Sequence, residues 1–236
     1  KPGAYTLTLV DDEGGQKKLL DQIVHIDWNL LSLATQHKQA ARGKIEPIDG
    51  LALEEIEKDR SQYLAVGKET VRAGKVAVVL LAGGQGTRLG NDAPKGTFDI
   101  GITRHLSIFE QLMCNLQEAV TQCGGIVPLY IMTSESNDAA TRSFFEKNNY
   151  FGYPAEQIKF FRQEMAPAVN LDGKLLMSAK DSLALSPNGN GGWYSSLVRA
   201  GLAAKAERRG VEWFNVFAVD NVLQRMADPV FVGATV

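Results

Sequence analysis

The chain has 236 residues, 44% of them hydrophobic and 22% charged, with a formal net charge of −2. That composition is ordinary for a globular protein of one large domain, or of one domain with an appendage. Near-neutral charge without a basic stripe argues against a nucleic-acid partner, and the longest apolar run falls far short of a membrane span.

Apolar residues at helical spacing over 17–36 and again over 51–63 predict a helical leader, residues 1–72, with a loop over 40–50. From Val76 the pattern changes to alternating strands and helices, which predicts a mostly parallel α/β sheet with crossover helices over 73–236. The expected elements are a strand at 76–82, a helix near 106–121, a strand at 126–133 and a helix near 138–148 with Phe144 and Phe145 facing inward. A short strand at 158–162, a hairpin at 171–177 turned on Asp172-Gly173, one helix from Trp193 to about Arg209 closed by Gly210, and a strand at 213–219 follow. Cys114 and Cys123 lie nine positions apart along a predicted helix, too far for a disulfide. They read as reduced thiols of a cytoplasmic protein. No secretory leader is visible. Lys1 is not a natural first residue, and the apolar run at the other end predicts that the chain is cut from a longer one.

The stretch richest in chemistry begins at the first strand. Seven apolar residues, Val76 to Ala82, read as a strand buried on both faces. Gly83-Gly-Gln-Gly-Thr-Arg-Leu-Gly90 follows, then Pro94-Lys-Gly96. Glycines leave backbone amides bare, and Arg88 and Lys95 add two cations beside them, a combination suited to a chain of phosphates. The dinucleotide fingerprint fails, because it needs glycine where Leu89 stands. The P-loop fails too, because neither Gly90 nor Lys95 is followed as that motif requires. A plain strand-to-helix turn with surface cations is the ordinary alternative.

With this string, three later segments are similar to one family: Gln163 with Pro167-Ala168, Gly189-Asn-Gly-Gly192, and Val219-Asp-Asn221. The chain resembles the UDP-N-acetylhexosamine pyrophosphorylases of the UDP-glucose pyrophosphorylase superfamily, which are UTP–hexose-1-phosphate uridylyltransferases. The resemblance implies a Rossmann-like fold of the nucleotide-diphosphosugar transferase type. It implies UTP and a sugar 1-phosphate as partners, N-acetylglucosamine 1-phosphate favoured, with Mg2+ as cofactor. Arg88 and Lys95 would act on the phosphates. Leu81, Ala82, Gly83, Gly84, Gly86, Thr87, Gln163 and Gly189 would hold the nucleotide, with Gln163 and Gly189 on the uracil edge. Asn190, Gly191 and Asn221 would meet the sugar phosphate, and Asp220 would bind the metal. Asn188 stands where many relatives have Asp.

In open parallel sheets, ligands gather beyond the carboxyl ends of the strands. Gly83–Gly90, Thr133-Ser134, Gln163 and Asp220-Asn221 all follow predicted strands, so one crevice is expected to collect them. His25, His37 and His105 are scattered and read as structural or solvated, while Asp228 before Pro229 reads as a cap. A competing reading is a nucleotide-binding regulatory or scaffold module without turnover.

Overall fold

The computed structural model describes residues 13–24, 26, 28, 44–86, 89–90 and 93–236. In chain order the helices are α1 (Glu13–Val24), α2 (Leu53–Lys58) and α3 (Arg60–Arg72), and the first strand is β1 (Val76–Leu81). Next come α4 (Ile108–Cys123), β2 (Leu129–Thr133), α5 (Asp138–Lys147) and β3 (Ile158–Arg162). Four short strands follow: β4 (Met165–Pro167), β5 (Met177–Ala179), β6 (Ser182–Leu183) and β7 (Leu185–Pro187). The chain then forms α6 (Trp193–Arg199), α7 (Leu202–Arg208), β8 (Trp213–Ala218) and α8 (Pro229–Thr235).

These elements make two compact units. The smaller takes residues up to Asp49 together with Glu164–Asn188, and the larger takes Gly50–Gln163 with Gly189–Val236. Helix α3, read from the sequence as the end of a leader, therefore belongs to the larger unit.

The larger unit is built on a four-stranded sheet in the order β3-β2-β1-β8, with every neighbouring pair parallel. All four carboxyl ends thus lie along one edge. The continuous apolar run of β1 has a direct cause, because both of its faces are covered. Val76, Val78 and Leu80 face a core with Phe109, Leu112 and Leu116 of α4, Phe145 of α5 and Val232 of α8. Ala77 and Val79 face the opposite way, onto Leu197 of α6 and Leu202 and Ala206 of α7. Phe145 is buried and meets Phe109 and Phe160 edge-on at centroid distances of 5.0 and 5.4 Å. Phe144 packs against the same core, so both rings face inward as expected.

Helices α3 and α8 cross at backbone contact. A Cβ on Gly67 would overlap the Pro229 carbonyl oxygen, and one on Gly233 would overlap the Tyr63 carbonyl oxygen. Asp228 caps α8 as expected, accepting from the Val230 and Phe231 amides at 2.9 and 3.1 Å, with Pro229 in the first turn. The single helix expected over 193–209 is two. Gly201, at φ 68°, interrupts it between α6 and α7.

In the smaller unit the turn at Asp172-Gly173 is present. Asn170 Oδ1 accepts from the Asp172 and Lys174 amides at 3.0 and 2.8 Å, and Gly173 has φ 78°. Strands β4 and β7 pair antiparallel, as do β5 and β6. Leu19, Ile26 and Leu183 form a local core. The part of the 17–36 helix beyond Val24 lies almost wholly outside the described residues.

Candidate active site at the carboxyl ends of the sheet

The chain leaves β1 by two ladder bonds. The Ala82 amide donates to Met132 O at 2.8 Å, and the Val219 amide donates to Leu81 O at 3.1 Å. Leu81 and Ala82 therefore still belong to the sheet, and the turn proper starts at Gly83. Gln163 is the first residue after β3. Its amide donates to Thr133 O at 2.8 Å, and the residue is only 8% exposed. Its side-chain amide lies on Gly83: a Cβ there would sit 2.8 Å from Gln163 Nε2. The sheet thus brings together two residues that the sequence placed at separate strand ends, and glycine is what lets the amide lie so close.

Asn137, which the sequence reading missed, ties the turn down. It is 1% exposed. Its Oδ1 accepts from the Ser134 amide at 2.8 Å, and its Nδ2 donates to Ala82 O at 3.0 Å and Gly84 O at 3.3 Å. The next residue, Asp138, is a buried carboxylate. It accepts from Thr133 Oγ1 at 2.6 Å, Arg142 Nε at 2.9 Å and Arg162 Nε and Nη2 at 3.2 Å. Burial works against its charge, yet the bonds from Arg142 and Thr133, the Arg142 charge and the Arg162 bond together outweigh it. They hold the carboxyl below the ordinary carboxylate range. This knot joins the end of β2, the start of α5 and Arg162, the residue before Gln163. The available sequence signal was Ser134 with Asn137-Asp138 directly behind a strand, a pattern that makes local side-chain turns.

The glycine loop folds back on itself. The Gly86 amide donates to Ala93 O at 3.0 Å and the Lys95 amide to Gly84 O at 3.3 Å, around an antiparallel bridge between Gln85 and Pro94. Residues Lys95–Thr97 form one 3-10 turn, in which a Cβ on Gly96 would overlap the Phe109 ring. Gly96 therefore lets the turn seat on α4, and the seated turn presents Lys95. Lys95 Nζ pairs with Asp220 Oδ1 at 2.5 Å, the lysine side chain 17% exposed and the carboxylate 63% exposed. Both conditions that make a strand-end carboxylate tolerable, solvent and a cation, are thus met at Asp220. Thr87 and Arg88 lie outside the described residues.

The residues expected at the uracil edge and the sugar phosphate lie in two further turns. Gly189 has φ 81°, and Asn190–Gly192 make one 3-10 turn ahead of α6. A Cβ on Gly189 or Gly191 would meet nothing within 4 Å, so this turn is open. Asn221 caps its own turn, its Oδ1 accepting from the Leu223 amide at 3.1 Å. His105 is solvated, as expected, and pairs with Asp99 on an exposed turn, while His25 and His37 lie outside the described residues. Among the described residues no cluster of three His, Cys, Asp or Glu side chains could hold a metal.

The chain matches the family model for UTP–glucose-1-phosphate uridylyltransferase over residues 21–236. It belongs to that family. Among this uridylyltransferase family's curated members, it is 41% identical over 209 residues to the Saccharomyces cerevisiae UDP-N-acetylglucosamine pyrophosphorylase, covering 86% of this chain and 44% of that one. It is 42% identical over 199 residues to the Arabidopsis thaliana UDP-N-acetylglucosamine diphosphorylase 1, covering 80% of this chain and 39% of that one. The crystal structure of the Trypanosoma brucei uridine diphosphate N-acetylglucosamine pyrophosphorylase in complex with an inhibitor has a TM-score of 0.77 at 28% identity. That match covers 94% of this chain and 49% of that one. The chain thus spans less than half the length of the relatives it matches.

Proposed function

We propose that this chain is the nucleotide-binding part of a uridylyltransferase that joins UTP and a sugar 1-phosphate into a UDP-sugar and pyrophosphate. N-acetylglucosamine 1-phosphate is the favoured acceptor, in keeping with the names of the relatives at about 40% identity. The observation that carries this reading is the seating of the Gln163 amide over Gly83, with Lys95 and Asp220 paired beyond the same sheet edge.

An oxygen of the sugar phosphate attacks the α-phosphorus of UTP in line, and pyrophosphate leaves. That oxygen is already ionised, so no general base is needed, and the work is positioning and charge compensation. The Gln163 amide, both donor and acceptor, suits the uracil edge, and Gly189 is assigned to the same edge. Leu81, Ala82, Gly83, Gly84, Gly86 and Thr87 line the nucleotide. Lys95 and Arg88 offset the triphosphate charge, and Asn190, Gly191 and Asn221 serve the sugar phosphate. Asp220 fits magnesium by its chemistry, because that ion commonly takes one or two carboxylates and fills its shell with water and phosphate oxygens. Bound there, it would neutralise charge on the phosphates. We place the protein in the cytoplasm, in keeping with the unbridged thiols of Cys114 and Cys123.

The test is pyrophosphate release by the full-length protein given UTP, Mg2+ and N-acetylglucosamine 1-phosphate, with glucose 1-phosphate in parallel. Release with the first acceptor supports the reading, and faster release with glucose 1-phosphate reassigns the sugar. Calorimetric binding of UTP without any release would replace the enzyme by a nucleotide-binding module.

A further inference from the structure

We propose that Asn137 is a positioning residue for the nucleotide, acting by turning the peptide planes of the glycine loop so that their amides face the ligand. The inference rests on the uridylyltransferase reading above and adds to it a residue outside the glycine motif.

The argument is geometric. Every peptide bond in the described chain is trans. In a trans peptide the carbonyl of one residue and the N–H of the next point in opposite directions. Asn137 Nδ2 draws the Ala82 and Gly84 carbonyls toward itself, at 3.0 and 3.3 Å. The Gly83 and Gln85 amides must then point away from Asn137. Neither amide has an acceptor among the described residues, and the Gly84 amide has none either. Asn137 itself is locked from below, because its Oδ1 takes the Ser134 amide at 2.8 Å and this fixes which end of the side chain donates. Asparagine is suited to this task. It needs an acceptor on one side and a two-hydrogen donor on the other, in a buried place where an unmet carbonyl is costly.

The full-length protein carrying Asn137→Ala is expected to show a KM for UTP raised about tenfold, the size set by leaving the buried Ala82 carbonyl unpaired. The KM for the sugar 1-phosphate should change less than twofold. Asn137→Thr, whose hydroxyl can serve only one carbonyl, should fall between wild type and alanine. Equal changes in the two KM values, or no change in either, would overturn the proposal by reducing Asn137 to a fold residue. Should both variants fail to fold, the wild-type protein decides through amide hydrogen exchange of the segment holding Gly83 and Gln85. Slowed exchange on adding UTP and Mg2+ supports the proposal, and unchanged exchange with UTP demonstrably bound overturns it. Failure of wild type to bind UTP at all would instead remove the functional reading, and this inference with it.

Discussion

At the scale of single residues, charge is handled in two distinct ways. Lys95 and Asp220 form a pair open on the carboxylate side, so its contribution to stability is small. Lys95→Ala should therefore lower turnover about 10²-fold, the loss typical when a charge stabiliser is removed, with little change in the unfolding midpoint. Steady-state pyrophosphate release and thermal unfolding on the same sample check both halves. Asp138 is the opposite case, a buried carboxylate held ionised by Thr133, Arg142 and Arg162. Its pKa is depressed in the folded state. The stability it contributes is thus present above the unfolded carboxylate value of about 4 and is lost as pH falls through the lower folded value. Asp138→Asn should be most destabilising near neutrality and approach wild type in acid, as urea unfolding at several pH values would report. Gln163, Lys95 and Asp220 could be found in the sequence because each sits just beyond a strand or in the glycine string. Asn137 shows in the sequence only as part of a local turn behind a strand, and its bonds to the glycine loop do not show at all, because its carbonyl partners lie 55 and 53 positions away and nothing local states that a loop must be clamped.

At the scale of elements, legibility follows the environment. Strand β1 is plain because a strand covered on both faces needs an unbroken apolar run. The split between α6 and α7 is hidden, because alanine-rich spacing continues across Gly201 while the backbone there turns left-handed. Helix α3 outruns its sequence signal, which fades after Tyr63, and continues to Arg72. Gly67 weakens it as an isolated helix yet permits the crossing with α8, and packing prevails over propensity. Gly67→Ala would drive a methyl group into the Pro229 carbonyl oxygen, a backbone atom that cannot swing aside. The expected cost is about 3 kcal/mol, read as a lower urea midpoint with an unchanged slope.

At the scale of the whole molecule, the sequence reading divided the chain once, whereas its contacts divide it by interleaving. Glu164–Asn188 joins residues from the start of the chain, more than a hundred positions away. A pairing between distant segments leaves no periodic trace in either, whereas the alternation of strand and helix is local and readable. The two cysteines offer a probe of the larger unit. Cys114 is exposed, while Cys123 is buried and its thiol is pushed up by desolvation. A thiol reagent should label Cys114 alone in the native protein and reach Cys123 only as the unit unfolds, at a rate that follows global opening. Equal labelling of both in native buffer would contradict the core packing of α4.

The contact between the Lys95 ammonium and the Asp220 carboxylate carries a thermodynamic corollary. Each group already occupies, beside its partner, the place that a guest of its own charge would take. On the proposed function, a divalent cation arriving at the acid would dismiss the base from its post, and a polyanion arriving at the base would do the same for the acid. Whichever guest came first would lower the cost of admitting the second, and reciprocity would make the two enhancements equal.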